Sequence, residues 1–315
     1  MPGRVLLPAL GVCAAMACSG SELLGPTASP SDEVAAAEER HPPTPGKRYT
    51  LVLGNSLAFG SQPTGDVFDP MTFTNGFGTL FVSRLNAIRW QPRVTEINLA
   101  CPGESTETFV VGGCIYTEFG LPLHRPYSGP QLEAAEDFLR HHRGRVNPII
   151  LSLGANELYQ PYLFECAREI ACVVKRIPAA IDAVTRNYDI ILRRLRALEP
   201  NATLLILVEY RFPTFPRRFN DGLTALYRRV RVAGRAYGAT LVESDPIIRA
   251  HPCRLLFICD PEPDVHPTDA GYRALADALW DAGGFGCRRN PDFAKDSRRA
   301  DCPGRTEGGQ RISSR

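Results

Sequence analysis

The sequence predicts a parallel β-sheet covered by helices on both faces. Between residues 48 and 283, short apolar runs alternate with longer amphipathic segments, and this β–α alternation is typical of parallel sheets. No internal repeat and no linker interrupts the region, so a single domain is predicted over residues 48–287. The proportions of hydrophobic (44%) and charged (22%) residues are ordinary for a globular protein with a sizeable core.

Each element is predicted from its residue pattern. Five short runs rich in leucine or β-branched residues are predicted to be strands: Tyr49–Leu53, Val94–Asn98, Pro148–Leu153, Thr203–Val208 and Thr240–Val242. Five segments with apolar residues at helical spacing are predicted to be helices: Gly76–Ile88, Gly129–His141, Ala179–Leu198, Arg218–Tyr237 and Thr268–Ala282.

The beginning of the chain differs from this domain. Arg4 precedes the apolar stretch Val5–Ala17 and a group of small residues, which is typical of a secretory signal peptide over residues 1–18. Cys18 resembles the lipidation site of a bacterial lipoprotein, but Ala15 stands where leucine is usual. Lipidation and simple cleavage therefore both stay open, and in either case the protein is predicted to be exported.

Two further segments have the composition of unstructured chain. Residues 19–47 are rich in Ser, Pro, Ala and Glu without periodicity, so a flexible tether is predicted. Residues 288–315 form an Arg-rich tail that is predicted to be disordered. The net charge of +2, with both signs interspersed, indicates no attraction to nucleic acid or to a membrane surface.

The cysteines indicate disulfides rather than a metal site. Of ten cysteines, eight remain once Cys13 and Cys18 are set aside. Their spacing favours four local pairs: Cys101–Cys114, Cys166–Cys172, Cys253–Cys259 and Cys287–Cys302. Zinc is the alternative, but the sequence has no Cys-x-x-Cys pair, and the adjacent His141 and His142 point apart on a helix.

Four segments at predicted strand ends carry polar groups. In parallel sheets, ligands bind outside the carboxyl ends of the strands. Ser56 in "GNSLAFG" follows the first strand, Gly103 in "NLACPGEST" the second, and Asn156 in "GANE" the third, while His266 lies in "DVHPTDAGY" before the last helix. Each segment alone is most simply a turn or a helix entrance.

Together and in this order, the four segments resemble the SGNH hydrolases, also called GDSL esterases and lipases, over about residues 50–282. The resemblance implies a three-layer α/β/α sandwich with a flavodoxin-like sheet of about five parallel strands. It also implies a serine esterase without cofactor or metal. Ser56 would be the nucleophile and His266 its base, and the oxyanion hole would comprise the N–H groups of Ser56 and Gly103 with the Asn156 side chain.

These residue types suit those roles chemically. A serine hydroxyl is a weak nucleophile that needs an adjacent base, and histidine, with a pKa of about 6.5, can both take and return a proton. Preorganised donors stabilise the charge of the tetrahedral intermediate. Glycine at position 103 lets the backbone approach the substrate closely.

The sequence departs from the family pattern at two places. Asn55 stands where the family usually has aspartate, and an effect on local hydrogen bonding is expected. The triad aspartate normally lies three residues before the histidine, and here that residue is Pro263. Asp264, Asp260 or a backbone carbonyl remain as partners of His266, and Asp264 is favoured because it is nearest in sequence.

Some residues near these segments have simpler interpretations. Glu157 is interpreted as a charge at a helix start, and His124 and Tyr127 either line the acyl pocket or belong to a surface loop. The insert Gln160–Arg176, which contains Cys166 and Cys172, is either a lid over the substrate or decoration.

The expected function is hydrolysis of a small-molecule, lipid or carbohydrate ester by a monomeric protein that touches a membrane only through an N-terminal lipid. One alternative is removal of acetyl groups from an envelope or plant polysaccharide. An alternative of another class is a non-catalytic envelope-binding protein with the same fold. The presence of Ser56, Gly103, Asn156 and His266 favours an enzyme over that last alternative.

Overall fold

The computed structural model describes residues 47–88 and 92–285. The predicted signal peptide, Cys18, the tail and the Cys287–Cys302 pair lie outside the described residues, as does all of the tether except its last residue. The described chain forms one parallel sheet of five strands in the order β2-β1-β3-β4-β5. The strands are β1 (Arg48–Gly54), β2 (Val94–Asn98), β3 (Val146–Ser152), β4 (Leu204–Val208) and β5 (Thr240–Glu243).

Helices flank both faces of the sheet, and the predicted α/β sandwich is confirmed. In chain order they are α1 (Ser56–Phe59), α2 (Phe77–Asn86), α3 (Thr106–Val111), α4 (Ile115–Glu118), α5 (Gln131–His141), α6 (Asn156–Gln160), α7 (Ile170–Leu198), α8 (Arg217–Ala236), α9 (Asp245–Ala250), α10 (Pro252–Leu255) and α11 (Asp269–Ala282). On one face α2 packs against α11, and on the other α7 packs against α3, α5 and α8. All five residues of β4 are buried between the two layers.

The order of the strands determines where a site can form. The chain leaves β1 for β2 at one edge and then returns past β1 to β3, so β1 lies where the direction of the connections reverses. In open parallel sheets, the loops at such a reversal separate and leave a crevice at the carboxyl ends of the strands. The loops after β1, β2 and β3 therefore border the crevice in which a site is expected.

The largest error in a predicted boundary concerns the third predicted helix, whereas the other boundaries lie within two residues of the prediction. This helix, α7, begins at Ile170 rather than at Ala179, and Pro178 lies inside it. Proline lacks the N–H that would bond to the preceding turn, but one missing bond does not end a helix whose other residues pack well. The residues buried along α7 extend from Val173 to Leu195, on both sides of the proline.

The insert after Asn156 is therefore largely helical. It consists of the end of α6, a π-helical turn over Pro161–Glu165, a non-helical stretch over residues 166–169 and the first turns of α7. A role of this insert as a lid stays a prediction.

Three of the four predicted disulfides are present: Cys101–Cys114, Cys166–Cys172 and Cys253–Cys259. The cluster of Cys101, Glu104 and Cys114 has the composition of a metal site, but its two sulfur atoms are bonded to each other and offer no thiolate. In residues 47–88 and 92–285, none of the helices has the length and apolar character to cross a bilayer.

Candidate active site

Ser56 lies on the sharp turn between β1 and α1. The turn requires glycine at position 54, because the residue has a φ of +128° and a Cβ there would lie 1.8 Å from the carbonyl oxygen of Ser152. Asn55 caps α1, since its side chain accepts a hydrogen bond of 3.0 Å from the N–H of Leu57. Ser56 is partly exposed, whereas all its neighbours from Leu51 to Gly60 are buried.

The loop after β2 presents the N–H of Gly103. This residue has a φ of +83°, and a Cβ would lie 2.4 Å from Cγ2 of Ile115, so only glycine fits. The side chain of Gln160 donates to the Gly103 carbonyl, and the Cys101–Cys114 disulfide braces the same loop. Within the described residues, the N–H groups of Gly103 and Ser56 donate to no other protein group.

Asn156 begins α6 after β3 and is only 6% exposed. Its Nδ2 donates to the carbonyl oxygen of Glu104 over 2.9 Å, which leaves its second N–H for another acceptor. The buried Gln131 links the same loops, because it bonds both backbone groups of Gly54 and donates over 2.9 Å to the Glu104 carboxylate. The three predicted oxyanion donors thus belong to loops that are hydrogen-bonded to one another.

His266 is paired with Asp264. The Oδ1 of Asp264 lies 2.7 Å from Nδ1 of the imidazole and accepts a second bond of 2.7 Å from the His266 backbone N–H. Burial opposes ionisation of Asp264, but these bonds and the charge of His266 outweigh it and lower its pKa below the usual value. Asp260 is exposed, and its side chain makes no hydrogen bond within the described residues. Of the three sequence-based alternatives, the structure brings only the Asp264 carboxylate to the ring.

The loop that carries His266 is tied to the turn that carries Ser56. Gln62, after α1, donates to the carbonyl oxygen of Pro267 over 3.1 Å, and Tyr272 on α11 donates to Ser61 over 2.9 Å. From the end of β4, the buried Tyr210 donates over 2.6 Å to Val265, which precedes the histidine. These bonds hold the His–Asp pair at the carboxyl edge of the sheet, on the same side as Ser56.

A family model named the GDSL-like lipase/acylhydrolase family matches residues 52–274. The chain belongs to this family. Solved structures support the same fold. An acetylxylan esterase from Geobacillus stearothermophilus is 14% identical and has a TM-score of 0.52, and the match covers 76% of this chain and 94% of the esterase chain. A lipase from a goat rumen metagenome is 19% identical and has a TM-score of 0.52, and the match covers 76% of this chain and 98% of the lipase chain. No curated protein sequence matches significantly.

Membership of the GDSL-like family identifies the protein as a hydrolase that acts on esters. Glu157, the residue after Asn156, differs from its simplest interpretation. Glu157 lies in the first turn of α6 as predicted, but its carboxylate accepts the N–H of Thr106 at the start of α3. Burial raises the pKa of Glu157 to about 7, so it is not an ordinary surface charge.

The loop over residues 121–130 has exposed residues, such as Arg125 and Ser128, but His124 and Tyr127 are partly buried. His124 bonds the carbonyl oxygen of Phe59 over 2.9 Å and lies against its ring, with the centroids 4.2 Å apart. The hydroxyl of Tyr127 is buried and has no hydrogen-bond partner in the described part of the chain. His124 therefore packs against the end of α1 and does not belong to an exposed turn.

Glu209 is a residue of this GDSL-like hydrolase that the sequence patterns did not single out. It follows β4 immediately, is 2% exposed, and its carboxylate accepts hydrogen bonds from the segments after β1 and β3. The available signal was a charged residue directly after the fully apolar run "LLILV", at the carboxyl edge where the site was expected.

Proposed function

We propose that the protein is a serine esterase in which Ser56 is the nucleophile, His266 the general base and Asp264 the residue that orients the base. The observation that carries this proposal is the 2.7 Å contact between Asp264 Oδ1 and His266 Nδ1. A carboxylate at Nδ1 holds the proton there, so that Nε2 is the free acceptor of the neutral ring. Nε2 makes no hydrogen bond to any of the described residues, Ser56 included, so it is free to accept, and its contact with the Ser56 hydroxyl is part of this proposal.

The reaction follows from these groups in two steps. Ser56 attacks the ester carbonyl while His266 takes its proton, and the proton then passes to the departing alcohol. Water, activated by the same imidazole, then hydrolyses the acyl-serine ester and releases the acid. In both steps negative charge develops on the former carbonyl oxygen, where the N–H groups of Ser56, Gly103 and Asn156 are the proposed donors.

The direct test replaces the nucleophile. Ser56→Ala deletes one partly exposed hydroxyl, so we expect an unchanged thermal midpoint and a loss of ester turnover by at least about 10³-fold. A serine-directed organophosphonate should label the wild type at Ser56, as read by peptide mass spectrometry. Activity that survives in the variant, or labelling at another serine, contradicts the proposal and leaves the non-catalytic alternative.

A second candidate is removal of acetyl groups from a polysaccharide. The structural neighbours include the acetylxylan esterase, and serine-to-alanine and aspartate-to-alanine variants of that protein are described as catalytic mutants. Tyr159, in the helix that Asn156 begins, lies edge-on to Phe212 with the ring centroids 5.2 Å apart, and burial together with the charge of Asp264 raises the pKa of its hydroxyl. Tyrosine offers an apolar ring with a polar tip, and the Phe212 ring extends the apolar surface. Parallel assays with nitrophenyl esters of increasing acyl length and with acetylated xylooligosaccharides distinguish the two substrates.

We also propose that the enzyme acts outside the cytoplasm. The three disulfides support this location, because disulfides form and persist in oxidising compartments. Mass spectrometry of the mature N-terminus tests it: a chain beginning at a lipidated Cys18 identifies a lipoprotein, a chain cleaved without lipid identifies release, and an intact Met1 contradicts export.

A further inference from the structure

The buried carboxylate of Glu209 joins two strand ends of the sheet. Its Oε1 accepts a bond of 2.6 Å from Asn55 Nδ2 and one of 3.1 Å from the Ser152 hydroxyl. Its Oε2 accepts a bond of 2.7 Å from the backbone N–H of Ala155. Both oxygens are therefore used, and all three donors come from the ends of β1 and β3.

Two of these donors are next to groups that the proposed mechanism uses. Asn55 directly precedes Ser56, and Ala155 directly precedes Asn156. A single side chain thus contacts the residue before the nucleophile and the residue before the oxyanion donor. A displacement of about 1 Å between such groups can cost a factor of about 10² in rate, so the distance that this carboxylate helps to set is functionally important.

The contact also accounts for asparagine at position 55. The Oδ1 of Asn55 is already occupied by the Leu57 N–H, so its Nδ2 faces Glu209. The aspartate that is usual in the family would place a second carboxyl group against Glu209 Oε1, where burial already raises the pKa of Glu209, so one of the two groups would have to take up a proton. Asn55 and Glu209 are complementary in that one donates where the other accepts.

We propose that Glu209 is a positioning residue for ester hydrolysis. By accepting hydrogen bonds from Asn55 and Ala155, it fixes the position of Ser56 relative to Asn156. Asparagine replaces the usual aspartate at position 55 because this side chain must donate to Glu209. The inference rests on the proposed roles of Ser56 and Asn156. Glu209 touches no reacting atom and acts through its neighbours.

The test exchanges donor and acceptor. Asn55→Asp alone sets two buried carboxyl groups against each other, which cannot both ionise without strong repulsion, and Glu209→Gln alone turns an amide N–H2 towards donors. We expect each single variant to lower kcat by about tenfold or more, with KM changed less than about threefold, because the geometry of the transition state is disturbed more than substrate binding. The double variant Asn55→Asp/Glu209→Gln restores a complementary pair, and we expect its kcat within about threefold of the wild type.

A matched control is Glu199→Gln. Glu199 is also a buried glutamate, 5% exposed, and accepts a backbone N–H, that of Gly144, over 2.8 Å, but it follows α7 at the opposite edge of the sheet. We expect this variant to lose stability without the loss of kcat. The thermal midpoints of all variants are measured together with the kinetics.

Several outcomes overturn the inference. Additive losses in the double variant mean that the two residues do not act as a pair, and coupling in thermal stability without coupling in kcat means that the pair is only structural. If a single variant fails to fold, the double variant decides: an active double variant supports the inference and an inactive one overturns it. Failure of the proposed function is recognised by a separate variant: if Ser56 is not the nucleophile, Ser56→Ala retains activity. The Asn55 and Glu209 single and double variants could then still show coupling in thermal stability.

Discussion

At the scale of single residues, the two N–H bonds of the Asn156 amide have different roles. One is held by the Glu104 carbonyl, which fixes the direction of the other. Asn156→Ala should therefore lower kcat by roughly 10²–10³ with a smaller effect on KM, because the free N–H, as a proposed oxyanion donor, acts on charge that develops only in the transition state. Steady-state kinetics measure the split, and a change confined to KM would indicate ground-state binding instead.

The orientation of His266 is tested by a pair of aspartate variants. Asp264→Asn keeps the size of the side chain but removes the carboxylate from Nδ1, so turnover should fall by about 10²–10⁴ while the fold is retained. Asp260→Asn is the control, since this exposed residue lies in the same loop without contacting the ring, and it should remain near wild type. Full activity in both variants would favour a Ser–His dyad.

At the scale of elements, the Cys101–Cys114 disulfide links the end of the β2 loop to the start of α4. It closes a separation of 13 residues around Gly103, so Cys101→Ala/Cys114→Ala should cost about 3 kcal/mol of unfolding free energy and reduce turnover, because the Gly103 N–H loses its brace. Denaturant unfolding and ester kinetics measure the two effects.

The matched variant is Cys166→Ala/Cys172→Ala. This disulfide closes only 6 residues, which encloses less chain and contains no proposed catalytic group. We expect a smaller loss of stability, about 2 kcal/mol, and no comparable loss of kcat. Equal losses of turnover in both double variants would show that the brace around Gly103 has no special role.

Element boundaries were predictable where a local signal ends the element. The predicted strand Val94–Asn98 has the bounds of β2, and Thr268 caps α11 by accepting the N–H of Gly271 over 3.2 Å. The start of α7 was not predictable in this way. Pro178 has the local character of a helix breaker, and only the packing of Val173 against the core shows that the helix continues through it.

The candidate site likewise contains residues that a local sequence pattern predicts and one whose role it does not predict. Ser56, Gly103 and Asn156 follow apolar runs and tight turns, so their positions could be read from short segments of sequence. The charge of Glu209 directly after "LLILV" is a local signal, but its role could not be predicted, because its partners Asn55 and Ala155 are 154 and 54 residues away. A contact between side chains that distant depends on strand order, which no local pattern contains.

At the scale of the whole molecule, two buried carboxyl groups make stability depend on pH. Burial raises the pKa of Glu104 and of Glu157 to about 7, from an ordinary value of 4.5. A raised pKa means that the folded state holds these protons more tightly than the unfolded state. Each group therefore makes its full contribution to the free energy of unfolding below about pH 4.5. This contribution is lost as the pH rises through about 7, and it amounts to up to about 3 kcal/mol for each group.

Glu104→Gln removes one of these titrations. In this variant the decrease of unfolding free energy between pH 5 and about pH 8 should be smaller than in the wild type, because glutamine stays neutral throughout. Denaturant unfolding at the two pH values measures the difference. The exposed Glu118→Gln is the control and should keep the wild-type slope, and a wild-type slope in Glu104→Gln would contradict the assignment.

The position of His266 in the chain has a consequence for biosynthesis. β5 ends at Glu243, so a ribosome has produced all five strands of the described sheet, the proposed nucleophile and the proposed oxyanion donors before it reaches His266, the proposed base. The base is then held by α11, which packs against α2 near the beginning of the domain. In the proposed mechanism, a nascent chain becomes competent for ester hydrolysis only when this last helix docks, and a chain that ends between residues 244 and 265 has all five described strands but lacks His266.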